Sequence, residues 1–343
     1  MQLTPIDALP TRLADRILEV RNGVVLCAVI AVVATAIGRF VPIVGSAIPA
    51  VVIGVVVGIC IKPDERFRPG ITYSSKFLLQ LAVAVLGTQL SLSSIVEVGI
   101  ESLPVMLISL TVCLLMAWLL GRALGIDREL RTLIGVGTGI CGASAIAAVS
   151  PVIKARDASI SYAISTVFLF NLIAVLIFPL VGHVLGMSPH AFGLFAGTAV
   201  NDTSSVVAAA SGFSAGAMGF AVVVKLVRTL MIIPISIGLA VIEARRTGSQ
   251  GGTVRVARLV PWFLVGFLAM AALVSTGIVP EIAVSAMREI SVFLIATALA
   301  AIGMSTNLDS IRGAGVKPLA LGGILSLTVA LTTLGTMKVT GHF

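Results

Sequence analysis

Lys225 and Arg228 stand three residues apart inside an apolar stretch that runs over 218–242. At helical spacing they share one face. With a rise of 1.5 Å per residue, Arg228 falls roughly 15 Å from the outer end of that stretch, too deep to reach water easily, while Lys225 is shallower. Two further apolar stretches carry polar clusters. One holds Gly137-Thr138-Gly139-Ile140-Cys141-Gly142 followed by Ser144, and the other holds Gly197-Thr198 followed by Asn201-Asp202-Thr203-Ser204-Ser205. The glycines permit an irregular backbone whose N–H groups, with Thr138 and Ser144, can bind an anion. Thr198, Asn201, Thr203 and Ser204 offer the same kind of donor from the second cluster. An acid such as Asp202 is costly to bury unless it is paired or protonated, which suits a proton-coupling role or, equally, a structural salt bridge to Lys225 or Arg228. Two bases against this one acid leave a net positive site, which favours an anion over a metal cation.

Other chemistries fail on context. Gly137 to Gly142 satisfies G-x-G-x-x-G, but a dinucleotide site needs a strand-turn-helix unit, and both flanks here are membrane-type apolar sequence. A serine hydrolase at Ser144 would need a histidine base within hydrogen-bond reach, and His183, His190 and His342 all fall in loops or at the terminus. No catalytic residue, metal or cofactor is therefore expected beyond a coupling ion, H+ or Na+. Cys27, Cys60, Cys113 and Cys141 lie in or beside apolar runs without paired spacing, so they form neither a disulfide framework nor a zinc site. Gln89, Ser91 and Ser93, together with Ser305, Asn307 and Asp309, either line a path or cap helices.

The elements that must position these residues follow from composition. Of 343 residues, 58% are hydrophobic and 11% charged, and the mean hydropathy is +1.13. A soluble globule carries roughly 25% charged residues, and the apolar runs are too long and too uniform for a porin-type barrel. An all-α polytopic membrane protein remains. Candidate spans fall near 23–41, 46–62, 76–92, 103–121, 159–182, 218–242, 259–278, 289–306 and 316–337. The net charge of +8 sits in short gaps between these runs, the positive-inside pattern, so the partner is the lipid bilayer and not nucleic acid. Residues 1–22 read as an amphipathic juxtamembrane helix on the cytoplasmic side of the cell's inner membrane, and 23–343 as one transmembrane domain.

Loop charge also sets how the two Gly-rich stretches, 129–155 and 189–212, cross. Basic gaps at 62–68, 122–131, 154–156, 245–258 and 312–317 should be cytoplasmic, whereas 93–102, 183–190 and 211–217 carry no Lys or Arg. Both sets are satisfied if 129–155 enters and leaves on the cytoplasmic side and 189–212 on the outer side. The alternative is two broken helices that cross fully, so the chain has nine to eleven membrane segments. Two internal repeats agree with inversion. GTQLSLSSIVEVG from Gly87 aligns with GMSTNLDSIRGAG from Gly303, matching Leu92/Leu308, Ser94/Ser310, Ile95/Ile311 and Gly99/Gly315. Gly137, Thr138, Ser144 and Ala148 align with Gly197, Thr198, Ser204 and Ala208, with Ile140/Val200 between them. Inverted repeats with interrupted elements at mid-bilayer are how secondary transporters build a site that opens to either side.

GTGICGASAIAAVSPVIKA, GLFAGTAVNDTSSVVAAAS and KLVRTLM together resemble the YeiH-type family, described as sulfate exporters, from about Gly70 to the C-terminus. The resemblance implies kinship with bile-acid/sodium symporters and cation/proton antiporters, and hence a core domain with discontinuous elements moving as an elevator against a scaffold, in a homodimer. It places polar sites on Gly137 to Ser144, Asp202, Lys225 and Arg228. The family's His-acid-Ala-Gln-Val-Val run is here Asn201-Asp202-Thr203-Ser204-Ser205-Val206-Val207. The reading is a secondary active transporter of a small anion, sulfate or a small sulfonate. Its alternatives are a proton- or sodium-coupled organic-anion symporter, a cation/proton antiporter, and a scaffold that transports nothing.

Overall fold

In a computed structural model of the chain, the described residues are 8–40, 46–60, 64–247, 262–305 and 315–343. Fourteen helical segments are followed below, and no strand occurs among the described residues. They are α1 (Ala8–Phe40), α2 (Ala47–Cys60), α3 (Arg68–Gln89), α4 (Leu92–Ala123), α5 (Arg128–Gly139), α6 (Ala143–Val149) and α7 (Asp157–Val184). The remainder are α8 (Pro189–Ala199), α9 (Thr203–Phe213), α10 (Ala215–Leu230), α11 (Ile232–Thr247), α12 (Trp262–Ser275), α13 (Glu281–Met304) and α14 (Val316–Thr340). Counting α10 with α11 as one, seven are long and apolar enough to cross a membrane, and α2 and α12 are shorter apolar helices. The chain is therefore an all-α polytopic membrane protein. Large apolar side chains cover its outside, Ile100, Leu180 and Leu327 among them, and such a surface is stable against lipid tails but not against water. The stretch read as a juxtamembrane helix continues without a break into the first span as α1, and residues 1–7 lie outside the described set.

The helices pack as two groups. One is α1, α2, α3, α12 and α13; the other is α4 to α11 with α14, and α9 provides most of the contact between them through α2 and α13. The glycines that open the longer repeat have matching surroundings in the first group. A Cβ on Gly87 would fall 2.2 Å from the Phe267 carbonyl oxygen of α12, and one on Gly303 would fall 2.5 Å from that of Val51 on α2. Only hydrogen allows backbones this close.

Both interrupted segments return to the end of the bundle from which they start. After α6, Arg156 donates from its backbone N–H to Glu129 Oε2 at 3.2 Å and from its guanidinium to Asp127 Oδ2 at 2.7 Å, beside the start of α5. Arg128 also pairs with Glu243 at 3.0 Å, so the end of α11 lies on the same face. After α9, the Phe213 ring stacks on Phe192 of the first turn of α8 at 4.0 Å. Close to that end, a Glu101 carboxylate oxygen of α4 lies 3.2 Å from His190 Nε2 and the other 2.9 Å from His342 Nδ1. From Glu101 to Ala123 an α-helix rises roughly 33 Å, about one hydrocarbon core. The two pairs α5/α6 and α8/α9 therefore start from opposite ends of the bundle.

Candidate functional site

The sequence interrupts each pair at its polar cluster. α5 stops at Gly139, and Gly142 turns the chain with φ +68 and ψ −132 before α6. Gly142 abuts Asp202, whose Cβ lies 3.2 Å from where a Cβ on the glycine would stand, so the two tips meet. α8 stops at Ala199, and Asp202 begins α9 as its N-cap, accepting from Ser204 N at 3.0 Å and from the Ser204 hydroxyl. A carboxylate suits that position because the first N–H groups of a helix lack partners and carry partial positive charge. Asn171, deep in α7, holds the second tip: its Oδ1 accepts from Asn201 N at 3.0 Å and from Asp202 N at 3.4 Å.

The two buried cations lie against the other helix ends at the tips, the C-termini of α5 and α8. Lys225 Nζ donates to Ile140 O at 2.9 Å and Val200 O at 2.7 Å. Arg228 donates through one terminal nitrogen to Thr198 O and through the other to Thr138 O at 3.4 Å. Both side chains are fully buried on α10. The last carbonyls of a helix are unsatisfied and sum to about half a negative charge, so one lysine and one arginine neutralise the ends of α5 and α8 together. The carbonyls are the equivalent pairs of the shorter repeat, Thr138 with Thr198 and Ile140 with Val200.

A cavity of about 390 Å³ opens beside the tips, between the two helix groups. Its wall takes Ser144 from α6, Asn171 from α7, and Asp202, Thr203 and Ser204 from the second tip; α3 supplies Ser75, Lys76 and Gln80, and Ser305 closes it from the other group. Of the residues the sequence singled out, Ser144, Asp202, Thr203 and Ser204 thus reach the cavity. Gly137, Thr138, Gly139, Gly142, Thr198 and Asn201 are buried behind it. Lys225 and Arg228 are not on its wall, and Asn307 and Asp309 lie outside the described residues. The sequence reading missed Asn171, Lys76 and Gln80. Asn171 was signalled by being the only amide within the 159–182 span; Lys76 opens the 76–92 span and so reads as its end, whereas α3 begins eight residues earlier, about 12 Å away.

Two interrupted helix pairs meeting around buried cations, inside a multi-span bundle, define a polytopic α-helical membrane protein with a cavity between its helix groups that carries polar side chains among apolar ones. The chain belongs to the family described as conserved hypothetical protein 698, which matches residues 22–322. It is 40% identical over 328 residues to a UPF0324 membrane protein of Streptococcus agalactiae, covering 93% of this chain and 97% of that one. It is also 40% identical over 342 residues to one from Fusobacterium nucleatum, with 94% and 98% covered, and 39% identical over 326 residues to one from Clostridium tetani, with 91% and 94% covered. No solved structure matches.

Proposed function

We propose that the protein is a secondary active transporter of a small anion, with sulfate or a small sulfonate as substrate, working by alternating access in the cell's inner membrane with a cytoplasmic N-terminus. The observation that carries the reading is the cavity between the two helix groups, where hydroxyls of Ser144, Thr203 and Ser204 and the amide of Asn171 stand beside the meeting tips. A tetrahedral oxyanion needs several hydrogen-bond donors, and these side chains, among apolar neighbours such as Val167 and Phe168, are the ones this wall offers. The shared capping of equivalent carbonyls by Lys225 and Arg228 supports an internal repeat, and the return of each pair to its own end supports re-entrant hairpins from opposite faces. The cavity between two groups supports an elevator, in which the α4 to α11 group with α14 slides past the other. Asp202, a carboxylate on the wall among hydroxyls, is the proton-coupling candidate.

Reconstitution tests this directly. Proteoliposomes loaded with unlabelled sulfate should take up radiolabelled sulfate by counterflow, competed by methanesulfonate, with uptake dependent on an imposed pH gradient. Absence of anion flux, with proton release on addition of sodium instead, would make the protein a cation/proton antiporter.

A further inference from the structure

We propose that Lys76 is the anion-binding cation of the cavity, held there by a π-helical turn in α3, and that it belongs to the helix group opposite the hairpin tips. The inference deepens the transport reading and rests on it.

Four observations converge. First, the two cations nearest the tips have other partners. Lys225 and Arg228 donate to four helix-end carbonyls. The C-terminal ends of α5 and α8 carry about one negative charge between them and Asp202 another, while the start of α9 adds about half a positive charge, so the two bases are largely offset. Neither base lines the cavity, so an anion entering it meets positive charge only from a cation on the wall itself.

Second, Lys76 lines the cavity and is exposed to it. It forms no ion pair within 4.0 Å with any described residue. A cation roughly 12 Å into a membrane-spanning helix is costly unless it faces water or a ligand.

Third, α3 is not regular at this point. Ser74–Leu78 is a π-helical turn, a rare departure that recurs at functional sites because it re-aims the side chains that follow. Here the residues it presents to the cavity are Ser75, Lys76, Leu79 and Gln80. The turn is fixed from its outer side: Phe77 stacks between Tyr73 at 5.0 Å and Trp262 at 5.8 Å, and the Trp262 indole N–H donates to Gln80 Oε1 at 2.6 Å. A structure that only had to span the bilayer would gain nothing from such a turn.

Fourth, the polar groups on the wall opposite, set among Ile164, Val167 and Phe168, are the neutral side chains Ser144, Thr203, Ser204 and Asn171 and the single acid Asp202. An anion seated between Lys76 and those donors touches both helix groups. It is released from Lys76 when the groups move apart, and Asp202 must be protonated, or swung away with its group, for the charge to be tolerated. Because Lys76 sits toward the end of the bundle that carries Arg68, it should govern binding from that face.

The test uses purified protein in detergent, with sulfate and methanesulfonate as probes and thermal unfolding as readout, since a ligand that binds the native state raises its stability. Wild type should be stabilised in a saturable manner. Lys76→Gln should melt at the wild-type temperature without anion, because the ammonium has no protein partner to lose, but should need about tenfold more sulfate for half the shift, the size of one lost charge-assisted hydrogen bond. Lys76→Arg should restore most of the response. A Lys76→Gln protein with wild-type anion response overturns the assignment and leaves the transport reading standing. If wild type responds to neither anion and the vesicles show no counterflow, the transport reading fails and takes this inference with it.

Discussion

Arg228 and Lys225 illustrate how one pair of residues can be plain in a sequence while the groups they touch are not. Two cations in an apolar span signal a buried function, and that much was visible. What they bind was not, because the carbonyls of Thr138, Ile140, Thr198 and Val200 leave no mark in residue type. Charge-assisted hydrogen bonds contribute about 1.5–3 kcal/mol each, and stripping donors from buried helix ends leaves carbonyls without partners. Arg228→Met and Lys225→Met should therefore each lower stability by about 3 kcal/mol or more, seen as a fall in the thermal midpoint that no anion reverses. If either variant keeps the wild-type midpoint and loses only its anion response, the cations are ligand groups and the capping account is wrong. Asn171 and Lys76 escaped the sequence reading for a related reason: their role depends on which helix group each faces. Asp202, Thr203, Ser204 and Ser144 were found because polar residues crowded into an apolar stretch announce themselves in one dimension.

At the level of elements, the spans were the most legible part of the chain, since a bilayer demands long apolar helices and the Gly-rich clusters mark where helices must stop. Each of the nine apolar runs overlaps a helix among the described residues, and both interrupted stretches break at their polar clusters. Less visible was what ties each interrupted pair. The ion pairs of Arg156 with Asp127 and Glu129 hold the end of the first pair against its beginning. Hydrogen bonds from the Arg156 backbone and side chain hold the Glu129 carboxyl below its ordinary pKa. A depressed carboxylate pKa means that the folded state prefers the ionised form, so the contribution is present at neutral pH, above the unfolded-state value. It is lost as pH falls from the ordinary glutamate value through the lower folded-state one. Amide hydrogen exchange over 150–156, corrected for intrinsic rate, should rise in that acid range in wild type and be raised already at neutral pH in Glu129→Gln. An acid response that persists unchanged in Glu129→Gln would place the titrating group elsewhere. At the other end of the pair, Gly142→Ala should destabilise. Its φ of +68 is one that L residues rarely adopt, and the new methyl would press on Asp202 from 3.2 Å.

For the whole molecule, the question is whether the two helix groups move as units. The group containing the hairpin tips meets the other mainly through α9, and a narrow contact of this kind is what a sliding interface requires, because each broken contact must be replaced by a similar one. The apolar cluster that runs through both groups is built largely of alanine and valine, small side chains that interlock weakly. Near the end of α9, a Cβ on Gly212 would lie 3.1 Å from the Ile48 side chain of α2, so these two positions report the arrangement seen here. With Cys27, Cys60, Cys113 and Cys141 replaced, Gly212→Cys and Ile48→Cys joined by a short bis(thiosulfonate), which forms a disulfide with each thiol and releases sulfinate, should hold the groups in this arrangement. The cavity, on the side of Lys76 and Ser305, stays open in that state, so the linked protein should keep its sulfate-dependent thermal shift. It should lose sulfate counterflow, because counterflow requires the site to face both sides in turn. Reducing the link should restore flux, which separates arrest from damage. Linked protein that still exchanges sulfate at the unlinked rate would rule out motion of the two groups past each other, and access would then have to alternate within the hairpin pairs themselves, about Gly142 and Asp202.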